Sequence, residues 1–535
     1  MSKKISAFEK ERLVIQTSRD AEKTQAERNR LGQFATPPAL ALDILKFAAT
    51  LIPTKKNIKF LDPAIGTGAF YSALRSVFPQ RRIVEALGIE IDEHYGTPSQ
   101  HLWADSGLTL RLADFTRETA SPEFDLIVCN PPYVRHHHLS LEEKIRLHRQ
   151  TQKNSGMDIS GLAGLYTYFL GLSHAWMAPG AVAGWLIPSE FMDVNYGRAV
   201  KHYLLDRVTL LHIHRFDPND VQFADALVSS AIVWFRNAPP PPEHNVMFTF
   251  GGTQVKPNVT REIPTTILAT ESKWTRFPLS EDMVPDFGPT ISDFFRITRG
   301  LATGDNSFFI LTEDQVKAHD LPAEVLRPIL PSPRYVYEDV IASDAKGNPL
   351  LERRLFLLDV RISTNEIKNR FPKLHAYLKT GKERGLEERY ICKHRSPWYA
   401  QEKRPAPLIV CTYIGRGDSK RGNPFRFILN ESCATVANSY LAMYPKQLLA
   451  AALAKNPGLI RSVWQALNKI SVEQLVRQGR VYGGGLHKLE PKELANVDAS
   501  ELAKLIQGLE HSGIMKQMEI FEGKAGHQTV SNLTS

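Results

Sequence analysis

Asn130-Pro131-Pro132-Tyr133 directly follows the apolar run Leu126-Ile127-Val128-Cys129, and these residue types in this order can both hold and activate a planar amino group. The Asn130 side-chain oxygen and the Pro131 carbonyl can each accept a hydrogen from one NH₂, which leaves the nitrogen lone pair free to attack a sulfonium methyl. Consecutive prolines fix φ and stiffen such a cradle. Tyr133 adds an aromatic face on which the ring carrying the amino group can stack. The chemistry implied is methyl transfer to nitrogen. An ordinary turn after a strand uses the same residue types, so the elements upstream must decide.

The segment 59–70, Lys59-Phe60-Leu61-Asp62-Pro63-Ala64-Ile65-Gly66-Thr67-Gly68-Ala69-Phe70, reads as a buried strand, a glycine turn and a helix start. Gly66 and Gly68 let backbone approach a ligand, and Asp62 at the strand end can meet an ammonium or hydroxyl group. No Gly-Lys-Ser/Thr follows, which excludes a phosphate-cradling P-loop. The next strand, Leu87-Gly88-Ile89-Glu90-Ile91-Asp92, places an acid about twenty residues past the turn, where ribose-binding carboxylates sit in Rossmann-like units. Glu90 is the expected ribose ligand. Leu112-Ala113-Asp114-Phe115 can present Asp114 and Phe115 to an adenine ring, although Asp114 also suits a helix N-cap. Asp62, Glu90, Asp114 and Asn130 would then project from the carboxyl ends of successive parallel strands, the edge at which open α/β sheets bind ligands.

With these residues in this order, the chain resembles the S-adenosylmethionine-dependent DNA adenine methyltransferases of restriction-modification systems, specifically the gamma class, TaqI-like in motif order. The resemblance covers most of residues 1–240. It implies S-adenosylmethionine as cofactor, double-stranded DNA as substrate, methylation of adenine N6 within a short sequence, and functional pairing with a cognate restriction endonuclease. It sets Thr36 and Pro37, in Gly32-Gln33-Phe34-Ala35-Thr36-Pro37-Pro38, beside the methionine or adenosine part of the cofactor. It further sets Asp62, Pro63, Gly66 and Gly68 in the cofactor loop, Glu90 and Ile91 at the ribose, and Asp114 and Phe115 at the adenine. Asn130, Pro131, Pro132 and Tyr133 take the acceptor, with Asn130 bordering the cofactor as well. Phe223 is implied as a second aromatic wall over the base, with Phe216 as competitor. A paired, stacked amino group is out of reach inside a duplex, so the target nucleotide must be flipped out. The implied fold is α/β: a Rossmann-like class I methyltransferase domain with a mixed seven-stranded sheet, followed by a separate α+β DNA target-recognition domain.

Composition sets outer bounds. At 535 residues the chain exceeds one ordinary domain, and 43% hydrophobic residues suffice for two cores. A net charge of +9 suits a polyanionic partner. Residues 1–30 carry many lysines and arginines without a continuous apolar stretch, and no transmembrane run is found, so a cytoplasmic, nucleoid-associated protein with no membrane partner is expected. Cys129, Cys392, Cys411 and Cys433 form no Cys-x-x-Cys pair, which argues against structural zinc and a disulfide framework. Arg135-His136-His137-His138 is no better a metal site, because consecutive histidines point in different directions and no carboxylate completes a ligand spacing. No metal is expected, since a sulfonium is already a good leaving group.

Residues 1–30 mix both charge signs with Ile5, Phe8 and Ile15 at helical spacing and are expected as one charged, solvated helix packed on the domain. The catalytic domain is placed at 31–238, with an apolar helix over 162–176 and strands over 181–187, 208–212 and 229–235. Pro239-Pro240-Pro241-Pro242 reads as a stiff spacer, giving a linker at 239–245. Residues 246–510 are assigned to target recognition and 511–535 to a polar tail. Within them, segments 296–306, 393–399 and 413–423 combine cations with hydrogen-bonding side chains suited to phosphates and base edges. One chain carrying both halves could act as a monomer. Two other acceptors fit the cradle: cytosine N4, of similar geometry, and the carboxamide of a protein glutamine. Enzymes of the latter kind resemble only the catalytic half, without so large a second domain or the Thr-Pro-Pro. A non-catalytic specificity module is opposed by the intact Asp62, Gly66, Gly68, Glu90 and Asn130, and a fused nuclease would need an acidic metal cluster that residues 243–535 do not present.

Overall fold

The computed structural model describes residues 3–217, 229–278, 288–416, 423–482 and 485–506. They form two compact units that divide near residue 283. The first is built on a sheet of β1 (Ile58–Asp62), β2 (Ile83–Glu90), β3 (Thr109–Leu112), β4 (Phe124–Cys129), β5 (Met177–Pro188), β6 (Thr209–Arg215), β7 (Ser230–Arg236), β8 (Asn245–Gly252) and β9 (Pro257–Pro264). The spatial order is β3-β2-β1-β4-β5-β7-β6-β8-β9. β3, β2, β1, β4 and β5 run parallel, and β7 is antiparallel to both β5 and β6. This is the Rossmann-like class I methyltransferase arrangement, and the four strand-end residues of interest all leave one edge of it.

The strands read as continuous apolar runs because both sheet faces are covered. Phe60, Leu126 and Val128 point into one core, while Leu61, Ile127 and Cys129 point into the other. The first core takes in α3 (Pro38–Leu51) through Leu40, Ile44 and Leu45, α4 (Ala69–Val77) through Phe70, Tyr71 and Leu74, and Leu102 and Trp103 of α5 (Glu93–Trp103); Phe8 and Ile15 of α1 (Lys3–Ala21) pack against it. The other is closed by α6 (Leu141–Ser155), which starts in a Ser140/Glu143 capping box, and by α7 (Leu165–Ser173).

Three expectations are corrected. Residues 1–30 are not one helix: α1 ends at Ala21, and α2 (Gln25–Leu31) begins anew from a Thr24/Glu27 capping box and stops at Gly32, φ 66°. The sheet has nine strands rather than seven. Residues 239–245 are a connection inside the first unit, not a linker between two domains. β8 pairs parallel with β6, β9 pairs antiparallel with β8, and Val246, Phe248 and Ile263 fill the core together with the fully buried Trp274. Prolines end a strand, but the apolar alternation that resumes after them carries the chain back to the same sheet.

The second unit contains a five-stranded sheet in the order Phe295–Arg299, Tyr440–Pro445, Ile409–Thr412, Phe427–Asn430, Val340–Ile341. A three-stranded sheet joins Ile310–Thr312, Leu355–Leu358 and Leu326–Ile329. Helices pack on both, which makes the unit α+β. Among the described residues no helix is long and apolar enough to cross a membrane.

Candidate functional site

At the carboxyl edge of β1, β2, β3 and β4, a cavity of about 560 Å³ opens in the first unit. That lies within the roughly 300–1,000 Å³ typical of ligand pockets. Its lining includes Pro63, Gly66, Glu90, Ile91, Asp114, Phe115, Asn130 and Pro132. Eight expected site residues therefore share one wall. Thr36, Pro37, Asp62, Gly68, Pro131 and Tyr133 stand outside the lining, and Phe223 lies outside the described residues.

The glycine turn joins β1 to α4. Gly66 and Gly68 have φ of 54° and 90°, the left-handed region that glycine enters without strain. A Cβ on Gly68 would lie 2.5 Å from the Trp103 indole nitrogen, so side-chain space is absent as well. That indole donates to the Thr67 carbonyl at 3.0 Å. Glu90 receives the turn from below: its Oε2 accepts the Gly66 N–H and its Oε1 the Asp92 N–H, both at 2.9 Å. Asp62 is buried, and its Oδ1 accepts the Ala64 N–H at 3.2 Å. Burial pushes the Asp62 carboxyl well above the ordinary range and Glu90 in the same direction.

Asn130 is fixed at the end of β4. Its Nδ2 donates to the Phe34 carbonyl at 2.9 Å and to Thr36 Oγ1 at 3.1 Å, which assigns the amide orientation because a carbonyl can only accept. The other end, Oδ1, is buried and accepts no hydrogen bond from the described residues. A buried acceptor without a donor costs about 1–3 kcal/mol. At the wall of a cavity, a bound ligand can supply the missing donor. Thr36 thus acts from behind the wall, holding Asn130. Pro37 caps α3 through backbone alone.

Tyr133 differs from expectation, while Phe115 and Asp114 line the cavity and also serve the fold. Tyr133 is only 9% exposed; its hydroxyl donates to the Leu186 carbonyl at 3.0 Å, and Phe34 covers it at a ring separation of 5.6 Å. It is a wall of the acceptor loop, not an open platform. Phe115 is buried against Phe169 and Trp176 at 5.1 and 5.7 Å, so it shapes the cavity from the core side. Asp114 caps the turn Phe115–Arg117, accepting from Thr116 N at 2.9 Å and Thr116 Oγ1 at 2.7 Å, while still lining the cavity. Phe216 belongs to the core beside His214, with ring centroids 4.7 Å apart. His136, His137 and His138 form a short turn after the acceptor loop, and among the described residues no group of three or more His, Cys, Asp or Glu is placed to hold a metal.

Sequence reasoning missed the contribution of α1. Gln16 and Asp20 line the cavity, and Arg12, 1% exposed, reaches the glycine turn. The available signal was the i, i+4, i+8 stripe Arg12/Gln16/Asp20, beside the apolar Phe8 and Ile15.

In the second unit, cationic segments expected to face DNA are partly used for internal packing. Arg395 donates to the carbonyls of Thr303 and Ala302 at 2.9 and 2.7 Å, and Tyr399 is buried. Arg299 stacks over Tyr413 at 4.1 Å and Arg296 over Tyr444 at 4.9 Å. Residues 417–422 of the third segment lie outside the described residues.

Comparison with known proteins follows the same division. Residues 89–222 match the Eco57I restriction-modification methylase family, and residues 282–524 match the family described as Type II methyltransferase M.Eco57I, C-terminal domain. Type II methyltransferase M.XamI of Xanthomonas campestris pv. amaranthicola is 29% identical over 89% of this chain and 86% of its own length. Type II methyltransferase M.AccI of Acinetobacter calcoaceticus is 24% identical over 87% of this chain and 85% of its own. Among solved structures, the Type IIL restriction-modification enzyme MmeI in complex with DNA is similar at a TM-score of 0.48 and 12% identity, over 90% of this chain and 74% of that one. In both units the chain is thus similar to type II methyltransferases of restriction-modification systems.

Proposed function

We propose that the chain is a gamma-class DNA methyltransferase that methylates the N6 amino group of adenine at a short double-stranded site, with S-adenosylmethionine as donor. The observation that carries this reading is the buried, unpartnered Oδ1 of Asn130 beside an amide nitrogen already pinned by Phe34 and Thr36. An oxygen held in this way accepts one hydrogen of a planar NH₂ and orients the nitrogen lone pair; the Pro131 carbonyl accepts the other. Positioning of this kind carries most of the rate.

The donor set fits the cofactor. Glu90, fixed by two backbone N–H groups, keeps carboxylate lone pairs for ribose hydroxyls, and Asp114 and the apolar wall of Phe115, Phe169 and Leu147 suit an aminopurine. S-adenosylmethionine, when bound, supplies a methyl group activated by the sulfonium. Asp62, raised in pKa by burial and sensitive to the ionisation of Glu90, braces the turn from beneath. Phe223 is assigned, by the resemblance, an aromatic wall over the extruded base. The second unit reads the target, and the protein, working as a cytoplasmic monomer, protects DNA against a cognate endonuclease.

The test is transfer of labelled methyl to unmethylated genomic DNA, followed by nucleoside analysis and mapping of modified positions. N6-methyladenine at one recurring sequence is expected. N4-methylcytosine would overturn the base assignment, and label in protein alone would overturn the DNA reading.

A further inference from the structure

The polar stripe of α1 forms a continuous hydrogen-bonded chain across the cavity's outer rim. Glu9 receives Arg12, with Arg12 Nη2 at 2.6 Å from Glu9 Oε1. Arg12 Nη1 donates to Thr67 Oγ1 at 3.1 Å, and the Thr67 hydroxyl donates to Gln16 Oε1 at 2.6 Å. Gln16 Nε2 donates to Asp20 Oδ1 at 2.9 Å, and the same oxygen accepts the Tyr95 hydroxyl of α5 at 3.0 Å. One helical face therefore ties the glycine turn after β1 to the helix after β2. Gly66 lies in the first of these, and Glu90 ends the strand that leads into the second.

Two further facts separate this from ordinary surface packing. Arg12 is 1% exposed, so its charge is desolvated, and on α1 it pairs with Glu9, itself mostly buried at the ion pair. Removing one partner of such a pair leaves an uncompensated buried charge, which is costly. Gln16 and Asp20 also line the cavity itself. Beyond them, Lys23 pairs with Asp92, Gln33 donates to Asp92 at 2.6 Å, and the Arg19 carbonyl meets the His94 ring at 2.9 Å. The end of α1 and the residues that follow it are thus anchored to the start of α5, just ahead of the tyrosine.

We propose that α1 is part of the nucleotide site, with Arg12 and Gln16 acting through Thr67 as positioning residues of the glycine turn and Asp20 as a carboxylate of the cavity wall. This rests on the cavity being the S-adenosylmethionine site. The stripe fixes the turn in its left-handed conformation before ligand arrives, which lowers the ordering cost of binding.

The probe is S-adenosylhomocysteine, titrated calorimetrically into the full chain, with urea midpoints of each ligand-free variant measured in parallel. Arg12→Ala and Thr67→Val are each expected to weaken binding about tenfold, as for loss of a hydrogen bond with a charged partner. The double variant is expected to lose no more than the worse single one, since both remove the same link. Arg12→Lys restores part of the affinity. Should Arg12→Ala fail to fold, Thr67→Val, nearly equal in volume, decides alone. Affinities within twofold of wild type, or losses that simply add, overturn the proposal. Wild-type protein that binds no S-adenosylhomocysteine would overturn the cofactor reading itself, and this inference with it.

Discussion

Asn130 carries two opposite roles in one amide: a nitrogen whose hydrogens are consumed by Phe34 and Thr36, and an oxygen left without a donor among the described residues. Asn130→Ala is expected to lower kcat by roughly 10²–10³, the cost of removing one preorganised polar group from a reacting centre. Binding of S-adenosylhomocysteine should change far less. A variant that keeps full turnover on DNA would remove Asn130 from the reaction. Asp62 and Glu90 make a pH prediction. Burial raises both carboxyls, so the protonated form is favoured in the fold; the associated stability is fully present in acid and is lost as pH rises through the raised values. Relative to Glu90→Gln, the ligand-free wild type should gain stability as pH falls from neutral. Hydroxyl and ammonium donors favour the ionised carboxylate, so ligand binding should release protons in mildly acidic solution. Calorimetry in two buffers of different ionisation enthalpy reads this directly, and identical apparent enthalpies would show that no proton moves. Glu90, Gly66 and Asn130 were legible in the sequence because strand-end chemistry is local. The burial of Tyr133 was not, since Leu186 and Phe34, which close it, are remote along the chain.

Among the elements, α2 and the acceptor loop are bound together more tightly than their sequences suggest. Gly32 ends α2 with φ 66°, its carbonyl accepts the Tyr133 N–H at 3.1 Å, and a Cβ there would lie 2.3 Å from that nitrogen. Gly32→Ala therefore meets a left-handed backbone penalty of about 1–2 kcal/mol and a clash that must push the acceptor loop away. We expect a lower urea midpoint together with a greater than proportional loss of turnover; a stability loss with full activity would mean that the loop tolerates displacement. Inside the sheet, Gly184 of β5 faces Trp234, whose ring atoms would lie 2.4–2.7 Å from an added Cβ. Gly184→Ala should cost about 1–3 kcal/mol by overpacking, read as a shift in thermal midpoint. The strand pattern made β1, β2, β4 and β5 readable, because buried parallel strands are apolar throughout. α1 was misread because a mixed charge pattern looks solvated when its partner, Thr67, lies 55 positions away. The proline run was misread for a related reason: local stiffness says nothing about which sheet the next strand joins.

For the whole molecule, a net charge of +9 sets an expectation for any DNA. Binding should weaken linearly in log–log plots against salt, and a protein making 6–10 phosphate contacts loses about 10³–10⁵ in affinity between 50 and 200 mM salt. A slope near zero would show that the net charge is not spent on phosphates. The two added strands of the first unit have a separate consequence. They move the free edge of the sheet from β6 to β9, which begins at Pro257 and ends at Pro264 and carries Arg261 and Glu262 between them. Prolines withhold the donors that an incoming chain would need, and charged side chains repel its approach. That border of the sheet is thereby finished against intermolecular strand pairing, so the apolar β6 is not presented to another molecule as a template for aggregation.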